Sequence, residues 1–327
     1  MPIYNGSQYL ERSIGSVVAQ TYTEWELVAL DDGSTDDSRA VLQRLAATDC
    51  RIKLLTKTND GKGNTARNIE FMKREAEGRY IFYMSQDDYI SADLLQNAVA
   101  RAETTGAEVV IPDMLLANAD GSCDEIACSH APNNDYSTLL SGAEAFYLSI
   151  DFAIHGFALI HRRLMFDEDN DTRFFDSDEY NTRVQYLHAQ TVAFCHGTFY
   201  YYQGNAEAMT KKFAPRQFQR LNTAVMLGTK AWQEGVPRRT KEKIRCWQMQ
   251  TYLNVLMLLF NNAKAMNAEQ YAEAVARFKG FEREVAFDGY RLSTLKDLGK
   301  AEKMLALCYF ALGNCRCLQS LHKAYKG

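Results

Sequence analysis

Apolar positions in this chain alternate between two rhythms. From Ser7, Leu10, Ile14, Val17 and Val18 fall on one face at helical spacing, with Asn5 or Ser7 as a cap. Trp25 to Leu30, apolar but for Glu26, then reads as a strand and stops at Asp31-Asp32-Gly33-Ser34, the pattern of a buried strand that ends in charge. Ser34 is placed to cap a helix carrying Val41, Leu42 and Leu45, and Asp36 and Asp37 in its first turn suit the helix dipole. The cycle repeats. Arg51 to Thr56 reads as a strand, Lys57 to Gly63 as a loop, and Asn64 as the cap of a helix that bears Ile69, Met72 and Ala76 and closes at Gly78. Tyr80 to Met84 is a further apolar strand, followed within four residues by Asp87-Asp88. Ser91 caps a helix with Leu94, Leu95, Ala98, Val99 and Ala102, and Glu108 to Ile111 is a short strand stopped by Pro112.

Strands near 25, 51, 79 and 108 with a helix in each gap predict an α/β fold with right-handed crossovers and a mostly parallel sheet flanked by helices. Two of those strands end in Asp-Asp, so both pairs are expected at the carboxyl edge, where open α/β sheets bind ligands. Beyond Asn118 the pattern dissolves into a polar connection up to Ser141. A helix over 143–150, a strand over 157–160, an acidic loop from Asp167 to Asp178, a helix over 179–187 capped by Ser177, and strand runs over 191–194 and 198–202 follow. From Pro215 the chain is rich in Leu, Ala, Lys, Glu and Gln at helical spacing. Breaks at 235–237, 261–267, Gly289 and Gly313 predict about five helices and a boundary between residues 1–214 and 215–327.

Composition narrows the function classes. The 327 residues carry a net charge of −4, which gives no footing to a nucleic-acid partner. Eight cysteines include no C-x-x-C pair, so zinc-ribbon and thioredoxin chemistry are excluded and buried thiols in a reducing compartment are expected. There is no signal peptide and no run of about eighteen apolar residues, so the chain reads as cytoplasmic. A basic run, Arg238, Arg239, Lys241, Lys243 and Arg245, leaves peripheral contact with anionic lipid or a polyanionic acceptor open.

Four motifs in order carry a family resemblance: Pro2-Ile3-Tyr4-Asn5-Gly6, Leu30-Asp31-Asp32-Gly33-Ser34-Thr35-Asp36, Gly61 through Ala66-Arg67-Asn68, and Gly78-Arg79-Tyr80-Ile81 leading to Asp87-Asp88. Over residues 1 to about 205 the chain resembles the family 2 glycosyltransferases of GT-A fold. The resemblance implies inverting transfer of a sugar from a nucleotide-diphosphate sugar, a UDP-sugar by default, to a saccharide or lipid-linked saccharide hydroxyl with a divalent metal, Mn²⁺ or Mg²⁺. It implies that Pro2 and Tyr4 lie beside the nucleobase and that Asp32 accepts from the base imide. Arg67 and Asn68 then contact base or diphosphate, Asp87 binds ribose or sugar, and Asp88 binds the metal. Ser85 stands where many members carry a further Asp. The family's Glu-Asp pair is altered here to Asp178-Glu179, with Asp178 the expected base and Glu179 the second choice. His155-Gly156 stands where the family has Trp-Gly, and Tyr202 through Met209-Thr210 resembles the loop that closes over donor and acceptor.

Such chemistry needs a carboxylate to take the acceptor proton and stabilisation of the departing diphosphate, but no protein nucleophile. Two other readings compete with it. One is a sugar-nucleotide-binding protein without catalysis, suggested by Ser85 and by the order Asp178-Glu179. The other is a phosphoacceptor switch built on Asp31-Asp32, against which the order of the four motifs argues. In this fold a strand is expected before Pro2, so the native start is expected upstream of Met1.

Overall fold

The computed structural model of the protein describes residues 1–61, 65–209 and 211–285, with 124–128 described by backbone alone. Asn64, Thr210, the breaks at Gly289 and Gly313, and the cysteines 315 and 317 lie outside the described residues. The described residues form two compact units. One comprises Met1–Arg173 with Ser177–Ala208, the other Phe174–Asp176 with residues from Met209 onward.

The first unit begins β1 (Pro2–Ile3), α1 (Ser7–Val18), β2 (Leu27–Asp31), α2 (Ser38–Thr48), β3 (Ile52–Thr56) and α3 (Thr65–Met72). It continues β4 (Tyr80–Phe82), β5 (Tyr89–Ile90), α4 (Leu94–Thr105), β6 (Val109–Ala117), β7 (Cys123–Ser129), β8 (Leu139–Leu140) and α5 (Gly142–Ser149). It closes with β9 (Leu159–His161), α6 (Arg162–Met165), α7 (Ser177–His188) and β10 (Val192–Tyr202). β1, β2 and β3 form a parallel three-stranded sheet in that order. The other seven strands form a second, mixed sheet along β4-β9-β6-β10-β5, with β7 on β6 and β8 on β10; its longest pairing, β6 with β10, is parallel. One apolar core spans both sheets: Ile3, Leu10, Ile14 and Ala29 pack with Met84, Ile90, Leu94 and Phe199.

Several local expectations are overturned, for reasons that lie in longer-range pairing. Pro2 and Ile3 do form a short strand, in register with Leu30 and Asp31. Val18 is exposed at the end of α1. Asn5, Ser7, Ser34 and Ser91 cap no helix; the N-cap positions are Gly6, Asp37 and Asp93, none with a side-chain cap bond. Ser34 Oγ instead accepts from Asn5 N, and Asn5 Oδ1 from Thr35 N, so these side chains tie two loops together. α3 ends at Met72, six residues before Gly78. Pro112 does not stop its strand. β6 runs through it because the β6–β10 register shifts between Ile111↔Phe194 and Asp113↔Thr198, where a ladder donor is not needed. The same bulge joins the two predicted runs over 191–202 into one strand. It rests on Gly197, whose φ of 111° and approach to Leu94 Cα leave no room for a Cβ. The polar connection contains β7, and α6 was not expected.

His155 is 4% exposed in the core under this bulge. Its Nε2–H donates to the Pro112 carbonyl at 2.7 Å, and its Nδ1 accepts from Phe157 N at 3.2 Å. Burial holds its pKa down to about 4. The unfolded chain therefore binds a proton that the fold rejects between pH 6.5 and 4, so stability falls as pH drops through that window. The expected loss is about 3 kcal/mol for a shift of this size. Urea unfolding from pH 7 to pH 4 checks it: His155→Gln should flatten the slope, and an unchanged slope would contradict the assignment.

In the second unit, α8 (Arg220–Gln233), α9 (Arg238–Asn262) and α10 (Ala268–Val285) are the α-helices among the described residues. The break at 235–237 separates α8 from α9, and Leu253, Val255, Leu256 and Leu259 lie in the unit's core with Phe218, Phe278 and Phe281. No helix among the described residues is long and apolar enough to cross a membrane.

Candidate active site

The carboxyl ends of β1, β2, β4 and β10 meet through side-chain bonds that no local pattern announces. At the end of β2, Asp31 is spent on its own turn, with Oδ1 accepting from Ser34 N at 2.9 Å. Asp32 is buried and held from two sides. Lys57 Nζ, just past β3, pairs with its Oδ1 at 2.9 Å, and Asn68 Nδ2 donates to its Oδ2 at 3.0 Å. A carboxylate has about four lone-pair sites, so two stay available to a ligand. Arg67 reaches the other way from α3. It pairs with Asp60 at 3.5 Å and donates to the Thr172 carbonyl at 3.2 Å.

Tyr4, at the end of β1, is 48% exposed. Its backbone is clamped by Gln86, whose Oε1 accepts from Tyr4 N at 2.8 Å and whose Nε2 donates to Tyr4 O at 3.2 Å. This amide pair brings the Asp87-Asp88 tip beside the Pro2–Tyr4 tip, and Gln86 carried no role in the sequence reading. Asp87 is fixed by two more residues that reading missed. Asn205 Nδ2 donates to its Oδ2 at 2.7 Å, and the Arg12 guanidinium donates to its carbonyl at 2.9 Å. Arg12 lies over the rings of Tyr202 and Tyr89, at 3.9 and 4.8 Å from their centroids, which locks α1 to the end of β10.

Asp88 is 1% exposed. Its Oδ1 accepts from Tyr202 N at 2.9 Å, while its Oδ2 is buried with no donor seated on it. Burial, with the charge on Asp87, pushes its carboxyl up to about 8; the Tyr202 amide and Ser85 oppose the shift. A buried carboxylate oxygen without a partner is costly unless a proton or cation meets it. It is also the oxygen donor that a hard divalent cation prefers, so the residues present fit such an ion. Ser85 Oγ sits 3.1 Å from the Tyr83 hydroxyl. Burial raises the pKa of Tyr83, and the charges of Asp178, Asp88 and Asp87 raise it further. Three carboxylates separated by up to 91 positions in the chain therefore act on one hydroxyl.

The two candidate bases separate. Asp178 is half-buried in the first turn of α7, near enough for its charge to act on Tyr83. Glu179 is exposed, and its Oε2 accepts from Arg183 Nη1 at 2.6 Å, one turn along the helix. His155 is in the core with both nitrogens given to backbone. Tyr202 contributes its amide to Asp88 and its ring to Arg12. Met209 is exposed in the second unit, its carbonyl accepting from Gln217 Nε2.

Asp167, Asp169 and His188 form a separate group whose ligand atoms lie within 4.8 Å of one another. His188 precedes β10, whereas Asp88 meets its last residue. Ten strand steps at about 3.3 Å put the two groups roughly 30 Å apart along the strand. His188 Nδ1 is 2.7 Å from Asp167 Oδ2, so the group is already hydrogen-bonded.

An uncharacterized glycosyltransferase of Haemophilus influenzae is 34% identical over 143 residues, 43% of this chain and 56% of that protein. The Escherichia coli UDP-Glc:alpha-D-GlcNAc-diphosphoundecaprenol beta-1,3-glucosyltransferase WfgD is 38% identical over 100 residues, 31% of this chain and 38% of that protein. The chain thus spans about half or less of the length of these two relatives. Among solved structures, Staphylococcus aureus TarS 1-349 in complex with UDP-GlcNAc aligns with a TM-score of 0.60 at 17% identity, covering 86% of this chain and 79% of that one. That likeness places the fold in the GT-A-like class. The model of the glycosyl transferase family 2 matches residues 1–166, half of the chain, and the protein belongs to that family.

Proposed function

We propose that residues 1–214 are the catalytic domain of an inverting, metal-dependent glycosyltransferase and that residues 215–327 are a helical accessory domain. The donor is a nucleotide-diphosphate sugar, a UDP-sugar first, and the acceptor a hydroxyl of a saccharide or lipid-linked saccharide in polysaccharide or glycoconjugate synthesis. The observation that carries the reading is Asp88 Oδ2, buried without a hydrogen-bond partner beside Asp87, where the charge of Asp178 also reaches Tyr83. The name of WfgD, with its UDP-Glc donor and diphosphoundecaprenol-linked acceptor, and the UDP-GlcNAc held by TarS support the donor and acceptor classes. The basic run of α9, with Lys241 and Arg245 beside the Trp232 ring, supports peripheral contact with anionic lipid.

The base is bound against the Tyr4 ring and Pro2, with its imide donating to Asp32, which Lys57 and Asn68 hold in place. Arg67, now paired with Asp60 and the Thr172 carbonyl, would contact base or diphosphate, and Asp87, fixed by Asn205, takes a ribose or sugar hydroxyl. Asp88 would hold the divalent cation, which when bound offsets charge on the diphosphate. Asp178 accepts the proton of the acceptor hydroxyl as its oxygen bonds to the anomeric carbon. The anomeric C–O bond to phosphate breaks on the opposite face, its electron pair leaving with the nucleotide diphosphate. One displacement inverts the centre.

A thermal-shift panel of nucleotide sugars with and without Mn²⁺ tests this. A ligand at a hundred times its Kd adds about 2.7 kcal/mol to the native state. UDP-sugars are expected to raise Tm by several degrees with Mn²⁺ and far less without it. No response to any nucleotide sugar would overturn the reading.

A further inference from the structure

We infer that Phe152 is the platform on which the acceptor saccharide stacks, an inference that rests on the transferase reading above. Four non-glycine residues among the described ones have positive φ. Three are asparagines, and the fourth is Phe152 at 60°. An aromatic side chain rarely occupies this region unless its surroundings impose it. Here they do. Ile150 and Ile154 on either side are buried, and Phe152 N donates to Ser149 O at 3.2 Å. The His155 ring anchors the segment to Pro112, Tyr186 Oη donates to His155 O at 2.6 Å, and Gly156 packs so tightly on Thr182 of α7 that a Cβ would meet its Cγ2 at 2.9 Å.

The loop is thus held rigid, yet the ring it displays is 56% exposed, the most exposed large apolar side chain among the described residues. Packing does not explain the strained backbone, because the ring packs little. One contact does locate it. The Arg183 guanidinium lies 4.8 Å from its centroid, and the same guanidinium donates to both the carbonyl and Oε2 of Glu179. Phe152 is therefore held through one side chain to Glu179, the residue next to Asp178 in the first turn of α7. Pyranoses present C–H faces that stack on aromatic rings, and a rigid exposed ring loses little entropy on binding them. A saccharide hydroxyl delivered to Asp178 would bring a neighbouring ring over Phe152. His155, which stands where the family has Trp, braces the loop that presents this ring.

Phe152→Gly and Phe152→Tyr separate the possibilities. Glycine accepts a φ of 60° without strain, so Phe152→Gly should keep or raise Tm, while the KM for acceptor rises about tenfold, the loss of one modest stacking contact. The KM for the UDP-sugar should stay within about twofold, and Phe152→Tyr should restore acceptor KM. Saturation-transfer NMR with chitobiose and cellobiose gives a readout independent of turnover: saccharide signals seen with wild type should vanish in Phe152→Gly. A lower Tm in Phe152→Gly would make the ring a packing element and overturn the inference, as would saccharide binding or acceptor KM indifferent to the substitution. If wild type binds these saccharides through Phe152 yet releases no nucleotide from any donor, the platform stands and the transferase reading fails.

Discussion

Asp178→Asn is expected to lower turnover by about 10²–10⁴-fold, the range typical of removing a positioned general base. The amide keeps the shape and the place in the first turn of α7 but cannot take the acceptor proton. The substitution should leave donor affinity nearly intact, because the Lys57-Asp32-Asn68 and Gln86-Tyr4 contacts at the proposed nucleotide end do not involve it. Glu179→Gln is the matched comparison. Its carboxylate is exposed and paired with Arg183, so only a small change follows. Steady-state nucleotide release for the two variants decides between them. Equal losses, or a loss confined to Glu179→Gln, would reassign the base.

Asp88→Asn is expected to be inert for folding and severe for function. Burial already favours the neutral carboxyl at position 88, and an amide oxygen can still accept from Tyr202 N. Without added cation, Tm should therefore hold or rise. The variant should lose the Mn²⁺-dependent part of UDP-sugar binding. Turnover should fall by about 10²-fold or more, since cation stabilisation of a departing diphosphate amounts to several kcal/mol. A variant that unfolds easily would show that Asp88 is structural. One that keeps Mn²⁺-dependent binding would place the cation elsewhere, with the Asp167-Asp169-His188 group the first alternative to examine.

What could be read in advance divides along physical lines. The acidic tips at Asp32 and Asp88 were legible because a strand that ends in paired carboxylates is a local signal. α1 and the cores of α4 and α9 were legible because their apolar spacing is local too. Lys57, Gln86, Asn205 and Arg12 were not, because what makes each matter is a partner far along the chain: Asp32, Tyr4 and, for the last two, Asp87. Tyr83 looked like one more apolar strand residue, and only the carboxylates gathered around its hydroxyl set it apart. Pro112 and the gap between the runs over 191–194 and 198–202 each suggest a strand break taken alone; together they sit at one register shift, where a missing donor and the positive φ of Gly197 are what the bulge requires. β7 went unseen because it pairs only with β6, and a single-sided edge strand needs no strong apolar alternation. The caps were misplaced because Ser34 and Asn5 serve each other's loops rather than the helices beside them.

The proposed transferase reaction requires the carboxylates of Asp32, Asp87, Asp88 and Asp178 to meet around a nucleotide and its cation. A crystal structure with UDP and Mn²⁺, using the anomalous signal of the metal, tests it directly. A single manganese peak is expected at Asp88 Oδ2, with the uracil against Tyr4 and Asp32. A manganese peak at Asp167, Asp169 and His188, or a uracil bound away from Tyr4, would contradict it.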